Sequence, residues 1–218
     1  MTALDIRADA ARPTRDPFDS DLFRDVLGRF CSGVVVITAS RSGENVGMTC
    51  QSFMSMSLDP PLVAFAPAAT SSTYPAIRDS GSFAVNVLSS TQSATALGFA
   101  RRGIDRFALA PWHLGETGAP LLDDAVAHIE CELYAEHIVG DHFLSVGRVV
   151  ALDGHPDAEP LLFFRSAFGA WSATSHSATP KQGGFNWSSQ HDVYSSMIAP
   201  RPSLRRVCAT RVSCVGAC

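Results

Sequence analysis

Residues 33–61 read GVVVITASRSGENVGMTCQSFMSMSLDPP. The first seven form a β-branched run, the composition of a strand. Residues 41–45, RSGEN, supply a hairpin turn, with Gly43 free to take a positive φ. The chain then returns through GMTCQSFMSMSLDPP, residues 47–61. An ordinary core strand spends its positions on Val, Ile and Leu. This one spends them on Thr49, Gln51, Ser52, Ser55 and Ser57, short polar groups that let a flat polar ligand lie close to the backbone. Pro60 and Pro61 have no ladder N–H and are expected to end the strand. The stretch therefore reads as an apolar strand paired with a strand built to hold something.

The same alternation of strands and tight turns continues outward. Upstream, Asp19 or Ser20 can cap a helix over residues 22–30, with Leu22, Phe23, Val26, Leu27 and Phe30 on one apolar face and Gly28 tolerated inside it. Downstream, residues 62–66 form a strand and Pro67 starts a loop. Residues 70–81 carry a helix that Ser71 or Ser72 can cap, with Pro75 in its first turn and Gly81 at its close. Residues 83–88 give a strand, 91–100 a short helix and 101–119 an irregular stretch. Residues 125–138 and 143–152 alternate as two long antiparallel strands about a turn at 139–142. Residues 161–165 make a last strand. Many strands with short turns and few helices point to a mainly β barrel decorated with short helices.

Composition narrows the function. The chain of 218 residues suits one domain, here 18–175, with extensions at either end. A net charge of −4 disfavours nucleic acid as a partner. The longest apolar run, residues 33–39, is too short for a membrane span. Residues 1–17 carry acids and no apolar segment, so they read as a disordered leader rather than a secretory signal, and the expected location is the cytoplasm. Residues 176–218 lack hydrophobic periodicity. They carry Lys181 and four arginines against Asp192, a net +4 beside −8 for the rest, and read as a disordered basic tail or a docking arm. Cys31, Cys50 and Cys131 lie in the body and Cys208, Cys214 and Cys218 in the tail. None sits at metal-ligand spacing, so the body thiols are expected to be small buried groups and no metal site is expected. His113, His128, His137, His155 and His176 show no recognisable spacing and are taken as structural.

Six segments then carry a resemblance. They are FRDVLGRFCSGVVVITA (23–39), GMTCQSFMSMSLDPPLVAF (47–65), SSTYPAI (71–77), FAVNVL (83–88), GDHFLSVGRV (140–149) and PLLFF (160–164). In this order, over residues 18–172, the chain resembles the small flavin reductase component of two-component flavin-dependent monooxygenases, nearest to actinobacterial reductases that serve phenol and steroid-ring hydroxylases. The resemblance implies a split β-barrel of Greek-key type that assembles as a homodimer. It implies reduction of FMN or FAD by NADH, with NADPH as the alternative donor. The reduced flavin would pass to an oxygenase component acting on an aromatic or steroid-derived substrate. The alternative is a flavoprotein that keeps its FMN, or a flavin-binding module without turnover.

The resemblance also assigns residues. Asn45, Val46, Gly47, Met48, Thr49, Gln51 and Ser52 would contact the flavin ring and ribityl chain, with Met48 and Phe53 as packing groups and small residues allowing close backbone approach. Ala66, Pro67 and Ala68 match a loop that runs past the flavin. Ser72 and Thr73, with Ser71, start a helix whose free N–H groups favour phosphate, plain capping being the other reading. A Lys or Arg common in that loop is missing from residues 67–74, so the phosphate would rest on N–H and hydroxyl donors. Phe99 and Ala100 match a flavin-touching segment, and Arg101 and Arg102 beside them could supply charge or be a solvated pair. His142, after Gly140 and Asp141, would lie near both flavin and nicotinamide. Hydride transfer is a positioning problem, so an orienting role is expected for it. Phe143 and Leu144 would form the pocket wall. In the run Arg165-Ser166-Ala167-Phe168, Ser166 replaces a glycine common in the family.

Overall fold

The computed structural model describes residues 19–172. The expectations for the leader 1–17 and the tail 176–218 lie outside the described residues. In chain order the elements begin with α1 (Ser20–Leu27), β1 (Ser32–Gly33), β2 (Val35–Arg41), β3 (Glu44–Cys50), β4 (Met54–Leu58) and β5 (Pro61–Phe65). They continue with α2 (Tyr74–Ser80), β6 (Ser82–Val87), α3 (Ser93–Ala100), a 3-10 turn at Phe107–Leu109, β7 (Trp112–Leu114) and β8 (Pro120–Leu122). The last four strands are β9 (Ala127–Val139), β10 (His142–Gly154), β11 (Leu161–Phe164) and β12 (Ala167–Ala170). Among the described residues no helix is long and apolar enough to cross a membrane.

Seven strands form the main sheet in the order β3-β2-β6-β9-β10-β5-β4, all neighbours antiparallel. Its two edge strands are consecutive in sequence: β3 ends at Cys50 and β4 begins at Met54. Four residue steps reach at most ~14 Å. Laid flat, seven strands would separate their edges by ~29 Å. The sheet must therefore curl to bring its two edge strands toward each other, in keeping with the mainly β barrel read from the elements and the split barrel implied by the resemblance. Two smaller sheets, β1-β11-β12 and β7-β8, lie outside it in the pairing order.

β2 explains the GVVVITA run. Val35, Ile37 and Ala39 are buried on one face with Phe65, Tyr74, Ile77, Phe83 and Val85. Val34 and Val36 are buried on the other with Leu88, Ala96, Phe99, Leu122 and Leu161. Both faces are covered, so no polar alternation is needed, and each fully buried Val or Ile stabilises by about 1.5–3 kcal/mol.

Several expectations need correction. Residues 47–61 are not one strand. They break at residues 51–53, where the Ser52 hydroxyl turns to the backbone of Ala66. The prolines do not end the pairing. Asp59–Pro60 is a cis peptide in the β4–β5 turn, and Pro61 opens β5 opposite Leu58. Gly28 is the C-cap of α1 rather than an interior residue, while Asp19 caps it as expected, accepting from Asp21 N (2.9 Å) and Leu22 N (3.1 Å). Cys31 is exposed, because it lies in the link after a helix with no buried residue. Cys50 and Cys131 are buried. The stretch 101–119 holds the 3-10 turn and β7. The β9–β10 turn shrinks to Gly140 and Asp141, Gly140 taking φ 62. A further hairpin to β12 follows β11, and its turn residues Arg165 and Ser166 both adopt positive φ, 48 and 64.

Candidate active site

The β9–β10 turn delivers His142 to the first position of β10. Asp141 Oδ1 is 2.7 Å from His142 Nδ1, which assigns Nδ1 as the donor and leaves Nε2 as the outward nitrogen. That hydrogen bond, and after it the imidazole's charge, hold the Asp141 carboxyl below its ordinary pKa. The backbone on either side of His142 is pinned. Ala69 N donates to Asp141 O (2.8 Å), Phe143 N donates to Pro67 O (2.9 Å), and Ala68 bridges to His142. Ser52 extends the tie: its Oγ accepts from Ala66 N (2.8 Å) and donates to Ala66 O (3.1 Å). Phe143 stacks on Tyr74 with ring centroids 5.4 Å apart. The Tyr74 hydroxyl donates to Glu136, and burial, then that carboxylate, push the phenol up to about 12. Thus Ser52, Ala66, Pro67, Ala68, His142 and Phe143 form one hydrogen-bonded corner. Leu144 follows half-buried, and Gln51 stands exposed at the break between β3 and β4.

The segment after Ala68 leads away from this corner. Ser71 N donates to Ala68 O (2.9 Å), and Ser71 Oγ accepts from Thr73 N (3.3 Å) and Tyr74 N (3.1 Å), so Ser71 rather than Ser72 ties the start of α2. Ser71 Oγ also lies 3.9 Å from Met48 Sδ. Beyond it opens a cleft of about 690 Å³, lined by Asn45, Val46, Gly47, Ser72 and Thr73 and by the loop 103–107. That volume lies within the range of small-molecule sites.

Arg106 occupies this cleft and was not anticipated. Its Nη1 donates to Gly47 O (2.5 Å) and Thr73 Oγ1 (3.0 Å), while Nε and Nη2 donate to Arg101 O at 2.8 and 2.5 Å. Partial burial, then the charge of Arg102, draw its pKa below the ordinary arginine value, and the guanidinium remains charged. Five N–H donors and four bonds leave one donor for a ligand. Arg101 and Arg102 are exposed; Arg101 contributes its carbonyl. Gly103, at φ 74, turns the chain between them and Arg106. No spacing in residues 101–106 marks which arginine faces inward.

Three residues have structural duties that the sequence does not reveal. Phe99 is fully buried, and a Cβ on Gly47 would meet its ring carbon Cε1 at 2.8 Å. Gly47 is therefore small to admit the Phe99 ring from below. The Thr49 hydroxyl donates to Ala96 O (2.6 Å) and joins β3 to α3. Ala100 is exposed at the end of α3.

The cleft, a guanidinium with one donor to spare and a pinned histidine corner thus lie along one side of the domain's β3–α2 segment as candidate ligand contacts. The flavin reductase like domain model matches residues 27–172. The chain is 44% identical over 153 residues, 70% of itself and 78% of the relative, to the flavin-dependent monooxygenase reductase subunit HsaB of Rhodococcus jostii. It is 41% identical to the FMN reductase (NADH) SmoA of Agrobacterium fabrum, over 71% of this chain and 87% of that one. Among solved structures it is similar to an NADH:FAD oxidoreductase of Streptomyces globisporus in complex with NAD and FAD fragments, with TM-score 0.70, 36% identity and coverage of 75% and 99%. The fold, the ordered segments and these likenesses together place the chain in the flavin reductase-like domain family, as an oxidoreductase that works with a flavin and a nicotinamide.

Proposed function

We propose that the chain reduces FMN or FAD with NADH and hands the reduced flavin to the oxygenase component of a two-component monooxygenase acting on an aromatic or steroid-derived substrate. The likeness to an oxygenase's reductase subunit supports the partner, and the likeness to NADH-dependent reductases supports the donor. The observation that carries the placement is the line of hydrogen bonds from the His142 corner through Ala68, Ser71 and Thr73 to Arg106. In this reading Arg106 and Thr73 hold the phosphate end. Asn45, Val46, Met48 and the backbone of Ala66, Pro67 and Ala68 flank the ribityl chain and ring. The flavin, when bound, supplies the hydride-accepting ring. His142 orients the nicotinamide through Nε2, its ring direction fixed by Asp141, with Phe143 and Leu144 as the wall. NADH is favoured over NADPH because no basic cluster for a 2′-phosphate is evident in the sequence.

A homodimer fits the same reading. Met54, Met56 and Leu58 on edge strand β4 and Leu22, Val26, Leu27 and Phe30 on and after α1 are exposed, a surface suited to a second copy. Light scattering that finds a monomer at working concentration would contradict it. The deciding experiment for the activity is anaerobic NADH oxidation with FMN and FAD supplied separately. Bleaching of either flavin with turnover supports the reductase. Binding without bleaching would make the chain a flavin-holding module.

A further inference from the structure

The β9–β10 hairpin carries a second group of functional side chains at its other end. Asp153 stands eleven residues along β10 from His142, ~36 Å at strand spacing. There His128 of β9 pairs directly with Asp153. His155 follows two residues later, and its N–H donates to Val126 O at 2.8 Å, so the ladder runs past Gly154. Strand alternation then returns His155 to the side of Asp153. One ligand atom from each of His128, Asp153 and His155 lies within 4.8 Å of the others.

The tautomer of the buried member is set by its partner. His128 is only 5% exposed, and its Nε2 lies 2.8 Å from Leu122 O. A carbonyl can only accept, so Nε2 carries the proton and Nδ1 keeps its lone pair. Metal-bound histidines are held in this way, with the second nitrogen donating to a carbonyl or carboxylate. Asp153 Oδ1 accepts from Gly154 N (2.8 Å), which leaves Oδ2 for a further partner. The surroundings are acidic. His155 borders an open cleft of about 760 Å³ with Asp124, Asp157 and Glu159. Among the described residues, none of Asp124, Asp153, Asp157 and Glu159 forms an ion pair with Lys or Arg. Ring packing of His128 on His155, at 6.2 Å between centroids, would require neither the carboxylate nor the shared convergence.

We propose that His128, Asp153 and His155 bind one divalent transition-metal cation, with zinc as the reference ion. Two imidazoles and one carboxylate suit zinc, nickel or copper and disfavour magnesium and calcium. Three protein ligands leave a coordination position for water. The bound cation would clamp the root of the hairpin to the chain that leaves β10. The pattern escapes a sequence search because strand register, not spacing, brings residues 128 and 153 together.

The test uses the full chain with Cys208, Cys214 and Cys218 changed to Ser, so that no tail thiol contributes. Calorimetric titration with zinc chloride should find one site per chain, and magnesium chloride should show none. His155→Ala and Asp153→Asn alter exposed residues and should each weaken zinc binding by about tenfold or more. Cobalt(II) should give a visible band in the Cys-to-Ser protein that His155→Ala loses. Zinc binding that disappears with the three cysteines, or that neither His155→Ala nor Asp153→Asn changes, would overturn the proposal.

Discussion

The two ends of the candidate flavin site are built by different means. At the His142 end, main-chain bonds do most of the work: Ala69 to Asp141, Phe143 to Pro67 and the Ala68–His142 bridge, with one serine hydroxyl as clamp. At the other end a single guanidinium spans Gly47, Thr73 and Arg101. A corner made from backbone keeps its shape under most side-chain changes. A corner made from one side chain depends on that residue. The first should resist substitution and the second should not.

Arg106→Ala is the strongest challenge to that contrast. It removes one of the two arginines that line the cleft, Arg41 being paired with Asp79, and releases the 101–107 loop, and it should weaken flavin binding by about 10–100-fold, the equivalent of roughly 1.5–3 kcal/mol. Arg106→Lys should recover little, because an ammonium cannot bridge three oxygens as the fork does. Flavin fluorescence titration reads both. Unchanged affinity in Arg106→Ala would mean the phosphate lies elsewhere. Ser52→Ala probes the opposite corner. It leaves the Ala66 N–H without its partner and should lower stability by about 1–2 kcal/mol, seen as a fall in thermal midpoint, with flavin affinity nearly retained. His142→Ala should raise the KM for NADH about tenfold, close to 1.4 kcal/mol, and leave flavin affinity alone. A large loss of flavin affinity with unchanged NADH kinetics would reverse the roles of the two ends. Thr73→Val should have the smallest effect, a loss of about two- to fivefold in flavin affinity from one hydrogen bond of roughly 0.5–1 kcal/mol.

How much of this could be read in the chain varies with the range of the cause. β2, the turn with Gly43 and the body of α2 follow from local composition, and β9 and β10 follow from alternation. The break at residues 51–53 does not, because the Ser52 hydroxyl turns toward Ala66, a residue fourteen positions away. β12 escaped because its turn uses Arg165 and Ser166 at positive φ, where a hairpin ordinarily advertises itself with Gly or Asn. In the site, His142 stood out through its Gly-Asp turn. Arg106 did not, since nothing local separates it from Arg101 and Arg102. Gly47 was read as room for a ligand; it does line the cleft, and its missing Cβ also makes room for the Phe99 ring, which no local pattern shows.

The strand order also sets a timetable. β5 is complete by Phe65, yet its partner positions on β10 are Ser145–Arg148, about eighty residues later. At a synthesis rate of about 5–20 residues per second, the β4–β5 hairpin waits for roughly 4–16 s before its neighbour exists. Two strands alone are marginally stable in water. Throughout that interval Val63, Ala64 and Phe65, buried in the finished fold, lack the β10 strand they pair with. The nascent chain therefore passes through a window in which it is a natural client for chaperones, and slowing translation between residues 66 and 145 should lengthen that window rather than help the barrel close.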